Sequence, residues 1–250
     1  MSFYMSSDKG NVRKNNEDSF LFETYEKLNI LILADGVGGH EDGEIASSYA
    51  VNIVMKYIKS NYKLYSDYLH LLVDAFCEAN KVIYEINLEK NSEENKISNR
   101  LMGTTLEVLL FDGDVLYFGH VGDSRIYIKD DNFRLLTKDH SLVQYLYSSG
   151  ALTEEEVKNY NDKNSILRAI GMEKHVEVDV SSVRIKPKDI ILVCSDGLTN
   201  ELDDDKISEM LDFKYSAKEM VDNIISTVKN GLARDNVTVG IFKNDEEIIC

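Results

Sequence analysis

Positive charge is scarce in this sequence: 28 lysines and arginines face 44 aspartates and glutamates, a formal charge of −16, with a pI near 4.7. Nucleic acid and anionic membranes repel such a chain, which argues against both as partners. Any phosphate chemistry must import positive charge, from a few arginines or from bound cations. Cysteine is scarce too. Cys77, Cys194 and Cys250 share no C-x-x-C spacing and build neither a disulfide framework nor a zinc site; they suit a reducing cytoplasm. No apolar run approaches the roughly 18 residues that a membrane span requires, and Met1–Asp18 contain no apolar signal core. There is one proline, Pro187, and no low-complexity linker or solenoid-length repeat. The expectation is therefore one cytoplasmic domain over residues 1–250, monomeric, with a small inserted flap near 141–170.

What is present is ordinary for a globular chain, 43% hydrophobic and 29% charged. Residues 30–43 stand out. The apolar run Ile30–Ala34 ends abruptly in Asp35-Gly36-Val37-Gly38-Gly39-His40. A short apolar run with a turn behind it reads as a buried strand. A carboxylate where such a strand meets glycine is held by a rigid element, as a metal ligand or catalytic acid is held. The device recurs: Ile190–Cys194 ends in Ser195-Asp196-Gly197.

Around these stretches the period alternates between strand and helix. Strand-like segments flank a polar loop over residues 3–26. Ala46, Ala50, Ile53, Val54, Tyr57 and Ile58 fall at helical spacing, and a second helix is predicted over 66–91. In that helix Cys77 is expected to pack and His70 to face solvent. Residues 103–137 read as an antiparallel meander, with Asp112-Gly113 as a hairpin signal. Short helical pieces follow at 141–149 and 153–158, the second with a Thr153–Glu156 capping box. Two strands are predicted to meet at Pro187-Lys188-Asp189. Helices follow near 204–211 and over 216–228, and a last strand over 237–242.

Asp35, Asp196 and Asp235 each sit at a strand boundary beside Gly or Asn, and Asp123 interrupts a strand. Oxygen-only ligation by carboxylates and carbonyls suits Mg²⁺ or Mn²⁺. Two other glycine motifs fail. A dinucleotide fingerprint starting at Gly36 needs glycine where Glu41 stands, and a phosphate-binding P-loop ending at Gly43 needs lysine where Glu44 stands. Spacing alone does not show that the aspartates converge.

The ordered set Arg13-x-x-Asn16-Glu17-Asp18, Ala34-Asp35-Gly36-Val37-Gly38-Gly39-His40, Gly103-Thr104-Thr105, Val121-Gly122-Asp123-Ser124-Arg125, Asp139-His140-Ser141, Ser195-Asp196-Gly197 and Asp235-Asn236-Val237-Thr238 resembles the bacterial PP2C (PPM) family of metal-dependent protein serine/threonine phosphatases. The resemblance runs from residue 3 to 242. It implies an α+β fold, a four-layer αββα sandwich of two antiparallel sheets flanked by helix pairs. It implies two Mn²⁺ or Mg²⁺ ions bridged by Asp35 and a water, with the Gly36 carbonyl on one ion and Asp196 and Asp235 on the other. A third, weaker ion matches Asp123 and Asp196. Glu17 and Asp18 match positions that orient water, and Arg13 matches the arginine that grips the substrate phosphate. Implied partners are phosphoproteins, including a serine/threonine kinase whose action is reversed. Eukaryotic relatives carry a histidine directly after Asp-Gly; here Val37 stands there, and His40 or a metal-bound water is the candidate acid for the leaving oxygen. Arg125 is expected to tie down its own loop, and His120 to pack.

Overall fold

The computed structural model describes residues 2–37, 41–92, 101–158, 160 and 165–245. The apolar run before Asp35 forms the middle of β3 (Leu28–Val37). It lacks the usual polar alternation because both of its faces are covered. Leu28, Ile30, Ile32 and Ala34 point into one core. Leu31 and Leu33, pointing the other way, enter a second. β3 pairs with β2 (Asp18–Tyr25), β5 (Leu106–Asp112) and the short β4 (Gly103–Thr104). β6 (Val115–Val121) and β9 (Asp179–Arg184) extend this sheet, giving the order β2-β3-β5-β6-β9 with β4 beside β3.

The second sheet has the order β1-β11-β10-β7-β8, all antiparallel. It comprises β1 (Ser2–Asp8), β7 (Arg125–Lys129), β8 (Phe133–Leu135), β10 (Ile190–Cys194) and β11 (Val237–Lys243). β10 follows the same rule as β3. Ile190, Leu192 and Cys194 face helices, while Ile191 and Val193 face the first sheet. Between the sheets the rings of Phe111 and Phe242 stack at 3.8 Å.

Helices cover both outer faces, so the molecule has four layers, helix–sheet–sheet–helix. α1 (Glu41–Asn61) and α2 (Tyr68–Ser92) lie on the first sheet. Ala46, Ala50, Val54 and Ile58 of α1, and Leu72, Phe76, Ala79 and Ile83 of α2, form the buried stripes. Burying each large apolar side chain contributes roughly 1.5–3 kcal/mol. α7 (Ala217–Asn230) lies on the second sheet. Its Ser216–Glu219 capping box satisfies the first-turn amides, and Met220, Val221, Ile224 and Val228 are buried. α6 (Asp204–Met210) is capped by the Asp203 side chain. The 141–170 segment contains α3 (Leu142–Ser148) and α4 (Glu154–Lys158), with the Thr153–Glu156 box in place. The α+β sandwich implied by the resemblance is thus the observed fold.

Three expectations need correction. Residues 103–137 are not one meander: β5 and β6 pair, but β7 belongs to the other sheet. Gly122-Asp123-Ser124 is a crossing between sheets rather than a turn within one. Likewise β9 and β10, on either side of Pro187-Lys188-Asp189, lie in different sheets. Cys77 is exposed, because it falls beside Phe76 and off the buried stripe, while His70 is exposed as expected. A short helix after Ser195, α5 (Asp196–Thr199), had no helical period to announce it.

Candidate metal centre

The register of β2 against β3 sets Asp18 directly opposite Asp35. Asp18 also reaches the other sheet. Its Oδ2 accepts from Ser195 Oγ at 2.8 Å and from Thr238 Oγ1 at 2.6 Å. Ser195 follows β10 and Thr238 lies in β11, so one carboxylate links both sheets at this end of the sandwich. Asp196 comes next after Ser195, and Asp235 stands just before β11. The Asp35 carboxyl lies within electrostatic reach of Asp18, Asp196, Asp123 and Asp235. Asp123 arrives on the crossing from β6 to β7. The five aspartates expected or implied at this site therefore meet where the two sheets open.

The backbone around Asp35 is clamped. Its N–H donates to Thr105 Oγ1, and its carbonyl accepts from the Thr105 N–H and Thr104 Oγ1, each within 2.9 Å. A Cβ on Gly36 would lie 2.3 Å from the Gly43 carbonyl oxygen, so glycine is required by close approach. A Cβ at Gly43 would lie 2.6 Å from Glu17 Oε2 and 3.1 Å from the Gly36 carbonyl oxygen, so both oxygens border the same small space. Asn236 fixes the loop that brings Glu17. Its Oδ1 accepts from the Glu17 N–H at 2.8 Å, and its Nδ2 donates to the carbonyls of Lys9 and Asn15.

The charges conflict. Burial, then repulsion from Asp18, Asp196, Asp123 and Asp235, raises the Asp35 pKa well above the carboxylate range. Burial, then Asp196 and Asp139, lifts Asp123 to about 8. Burial, then Asp235 and Asp18, lifts Asp196 to about 7. Asp18, likewise raised by burial, reaches only about 6, because the Thr238 and Ser195 hydroxyls hold its charged form. Arg13 is the cation at the rim; its Nη2 donates to Asp235 Oδ2 at 2.7 Å, and it is half exposed.

Among the described residues no group of three or more His, Cys, Asp or Glu side chains is arranged to hold a metal ion as it stands. What they form is an unneutralised carboxylate cluster. Two buried oxygens in it, Asp18 Oδ1 and Asp123 Oδ1, have no hydrogen-bond partner. A buried acceptor without a donor is costly. Such oxygens in an oxygen-only set fit a hard divalent cation such as Mg²⁺ or Mn²⁺.

Of the residues singled out in the sequence, Asp18, Asp35, Asp123, Asp196 and Asp235 come together, Glu17 and Gly36 adjoin them, and Arg13 stands at their edge. His40 lies outside the described residues. His120 is buried, as expected of a packing residue. Arg125 holds Asp139 through Nε and Nη2, tying down the loop after β8. Sequence reasoning gave no role to Ser195, Thr238, Thr104, Thr105 or Asn236. All five lie inside the quoted motifs, but hydroxyls and amides carry no signal for a partner distant in the chain.

Comparison with known proteins agrees with this geometry. The family model described as "Protein phosphatase 2C" matches residues 11–233. The serine/threonine phosphatase stp of Listeria innocua is 36% identical over 236 residues, 93% of this chain and 92% of that protein. Protein phosphatase PhpP of Streptococcus pneumoniae is 30% identical over 250 residues, 99% of each. Among solved structures, the S. agalactiae serine/threonine phosphatase superposes with a TM-score of 0.84 at 32% identity, covering 97% of this chain and 99% of the other. The catalytic domain of the phosphatase PstP, in complex with two manganese ions, gives 0.79 at 33% identity and 96% of each chain. With the sandwich, the ordered motifs and the converging aspartates in agreement, the chain belongs to the protein phosphatase 2C family.

Proposed function

We propose that this chain, a protein phosphatase of the 2C family, hydrolyses phosphoserine and phosphothreonine in proteins with Mn²⁺ or Mg²⁺ held at the Asp35 cluster, and so reverses a serine/threonine kinase. The observation that carries this is the convergence of five aspartates with two buried oxygens left without donors. Asp35 would serve both ions, the Gly36 carbonyl and Glu17 would help hold one, and Asp196 and Asp235 would hold the other. Asp123, with Asp196, would hold a third. Such ions supply the positive charge that an acidic protein lacks for a phosphate ester, and make water acidic enough to react near neutral pH.

The protein's own groups have separable tasks. Asp18, fixed by Ser195 and Thr238 through Oδ2, keeps Oδ1 free to accept from and orient water. Arg13 uses Nη2 on Asp235 and has other guanidinium N–H groups left to bind phosphate oxygens. Asp235 thereby positions Arg13 next to the cluster. The candidate acid for the leaving seryl or threonyl oxygen is His40 or a water held by the cations. The proposed setting is a monomer in the cytoplasm; among the described residues no helix is long and apolar enough to cross a membrane.

Hydrolysis of a phosphopeptide panel, with nucleotides and small phosphate esters alongside, tests this. Turnover of phosphoserine and phosphothreonine peptides should require Mn²⁺ or Mg²⁺ and stop in EDTA. Preference for nucleotides would overturn the substrate, and undiminished turnover in EDTA the metal requirement.

A further inference from the structure

The crossing Gly122-Asp123-Ser124 delivers Asp123 to the site, and its first peptide is gripped by one residue of another segment. The Gly122 N–H donates to His140 Nδ1 at 3.1 Å. The His140 N–H donates back to the Gly122 carbonyl at 2.7 Å. On the far side of the ring, His140 Nε2 lies 2.8 Å from Arg168 Nη1 and 3.3 Å from Asp179 Oδ2. Arg168 Nη1 itself donates to Asp179 Oδ1 at 2.9 Å.

A neutral imidazole has one N–H, and these contacts choose its position. With the proton on Nε2, Nδ1 accepts from Gly122 and Nε2–H can reach Asp179 Oδ2, while Arg168 Nη1, itself only a donor 2.8 Å away, directs its N–H to Asp179 Oδ1. With the proton on Nδ1, Nε2 can accept from Arg168, but the Gly122 N–H then faces another donor. A doubly protonated ring also loses Gly122. The neutral Nε2–H form is the one that keeps the grip.

The surroundings favour that neutral form. Burial first, then the charges of His120 and Arg168, push the His140 pKa down to about 4. His120 stacks on His140 with ring centroids 4.5 Å apart and has the opposite character. Its Nδ1 meets Glu107 Oε1 at 2.8 Å and its Nε2 meets the Lys138 carbonyl at 2.9 Å. Burial opposes charge on His120, yet Glu107 and the Lys138 carbonyl overcome it and raise the pKa to about 8. The two stacked rings are thus shifted in opposite directions, His120 toward its charged form and His140 toward its neutral one.

We propose that His140 is a positioning residue for Asp123: its neutral imidazole and its own N–H clamp the Gly122 peptide and fix the crossing to the stem of the 141–170 segment. That stem is joined to the same residue, since the Leu167 N–H donates to the His140 carbonyl at 2.7 Å. The effect on catalysis rests on Asp123 belonging to the metal site; the clamp itself does not.

Two substitutions separate the clamp from mere packing. In His140→Asn the side-chain oxygen can occupy the place of Nδ1 and still accept from Gly122. In His140→Gln the amide reaches toward Arg168 and Asp179 and leaves the Gly122 N–H unpaired. Three quantities are read for the full chain: amide hydrogen exchange at Gly122, the Mn²⁺ concentration giving half-maximal phosphopeptide hydrolysis, and Tm. His140→Gln should speed Gly122 exchange by about tenfold or more and raise the Mn²⁺ requirement by about 10–100-fold, as loss of an outer-shell partner does. His140→Asn should stay within about threefold of the parent in both. Equal behaviour of the two variants, including equal loss of folding, would overturn the clamp, as would unchanged Gly122 exchange in His140→Gln. If the parent protein shows no Mn²⁺-dependent hydrolysis, the phosphatase reading fails while the exchange measurement still decides the clamp.

Discussion

Asp35-Gly36 and Asp196-Gly197 are written alike, each an aspartate and glycine at the end of a buried apolar strand, and they fold differently. β3 runs on through Asp35 to Val37 and pairs there with β4. β10 stops at Cys194, and Asp196 opens the short helix α5. The glycines do the same job in both places. A Cβ on Gly36 would meet the Gly43 carbonyl oxygen at 2.3 Å, and one on Gly197 the Asn236 carbonyl oxygen at 1.9 Å. The carboxylates differ in their company. Asp35 is repelled by four other aspartates, whereas Asp196 accepts from Asn200 Nδ2 at 2.9 Å. The local device delivers a carboxylate; the topology decides how much charge it meets.

The largest effect should come from the aspartates themselves. Loss of an outer-shell partner costs a metal site about 10–100-fold, so loss of a ligand should exceed about 100-fold. Asp35→Asn and Asp196→Asn should both fall at least that far in kcat/KM on phosphopeptides. Metal-free Asp35→Asn should nevertheless melt higher than its parent, and by more than Asp196→Asn does, because it removes the more strained group. Calorimetric Tm values in the reverse order would break the comparison.

Next in size are the glycines. Gly36→Ala and Gly197→Ala each force a Cβ into backbone, at a cost of about 1–3 kcal/mol or more. For a chain of this size that is about 2–4 °C of Tm per kcal/mol. Thermal unfolding that leaves either variant unchanged would show that the close approach is not maintained in solution.

The pH dependence follows from the raised carboxyl values. Unfolded aspartates titrate near 3.8, while the folded values reach about 7 for Asp196 and about 8 for Asp123. Between these limits the folded state holds protons that the unfolded state has lost, so stability falls as pH rises. Their stabilising share is fully present below the unfolded value and is gone once pH has risen through the folded ones. The urea midpoint of chelated protein should therefore drop from mildly acidic pH to about 8, and excess Mn²⁺ should flatten the slope. A midpoint that rises over that range would contradict the charge conflict.

The smallest expected effect is at the hydroxyls that hold Asp18. Thr238→Val keeps the shape and removes one donor, at a cost of about 1 kcal/mol. Turnover should fall about tenfold, the low end for an outer-shell contact. Steady-state kinetics showing no change would mean that Ser195 alone suffices.

Much of this was legible in the sequence, and for stated reasons. α1, α2 and α7 showed because their apolar residues repeat at helical spacing, and β3 because a strand covered on both faces reads as a continuous apolar run. Assignment to one sheet or the other was not legible. Gly122-Asp123-Ser124 has the composition of a turn whether the chain stays in its sheet or crosses between sheets. Asp35 and Asp196 stood out as strand ends, but only the ordered motifs suggested that they meet. The bonds from Ser195 and Thr238 to Asp18 depend on the stacking of two sheets, which a hydroxyl in a sequence does not report. The Gly122–His140 grip was hidden for the same reason.

The central claim is that the cluster around Asp35 is a divalent-cation site. The most direct test is calorimetric titration of Mn²⁺ into EDTA-treated protein near neutral pH, in two buffers of different ionisation enthalpy, for the parent and Asp35→Asn. Carboxyls raised by burial and mutual repulsion must give up protons to bind a cation. The parent should bind Mn²⁺ and release protons, and Asp35→Asn should lose most of both. Equal binding by the two proteins, or binding by the parent with no proton release, would contradict the account.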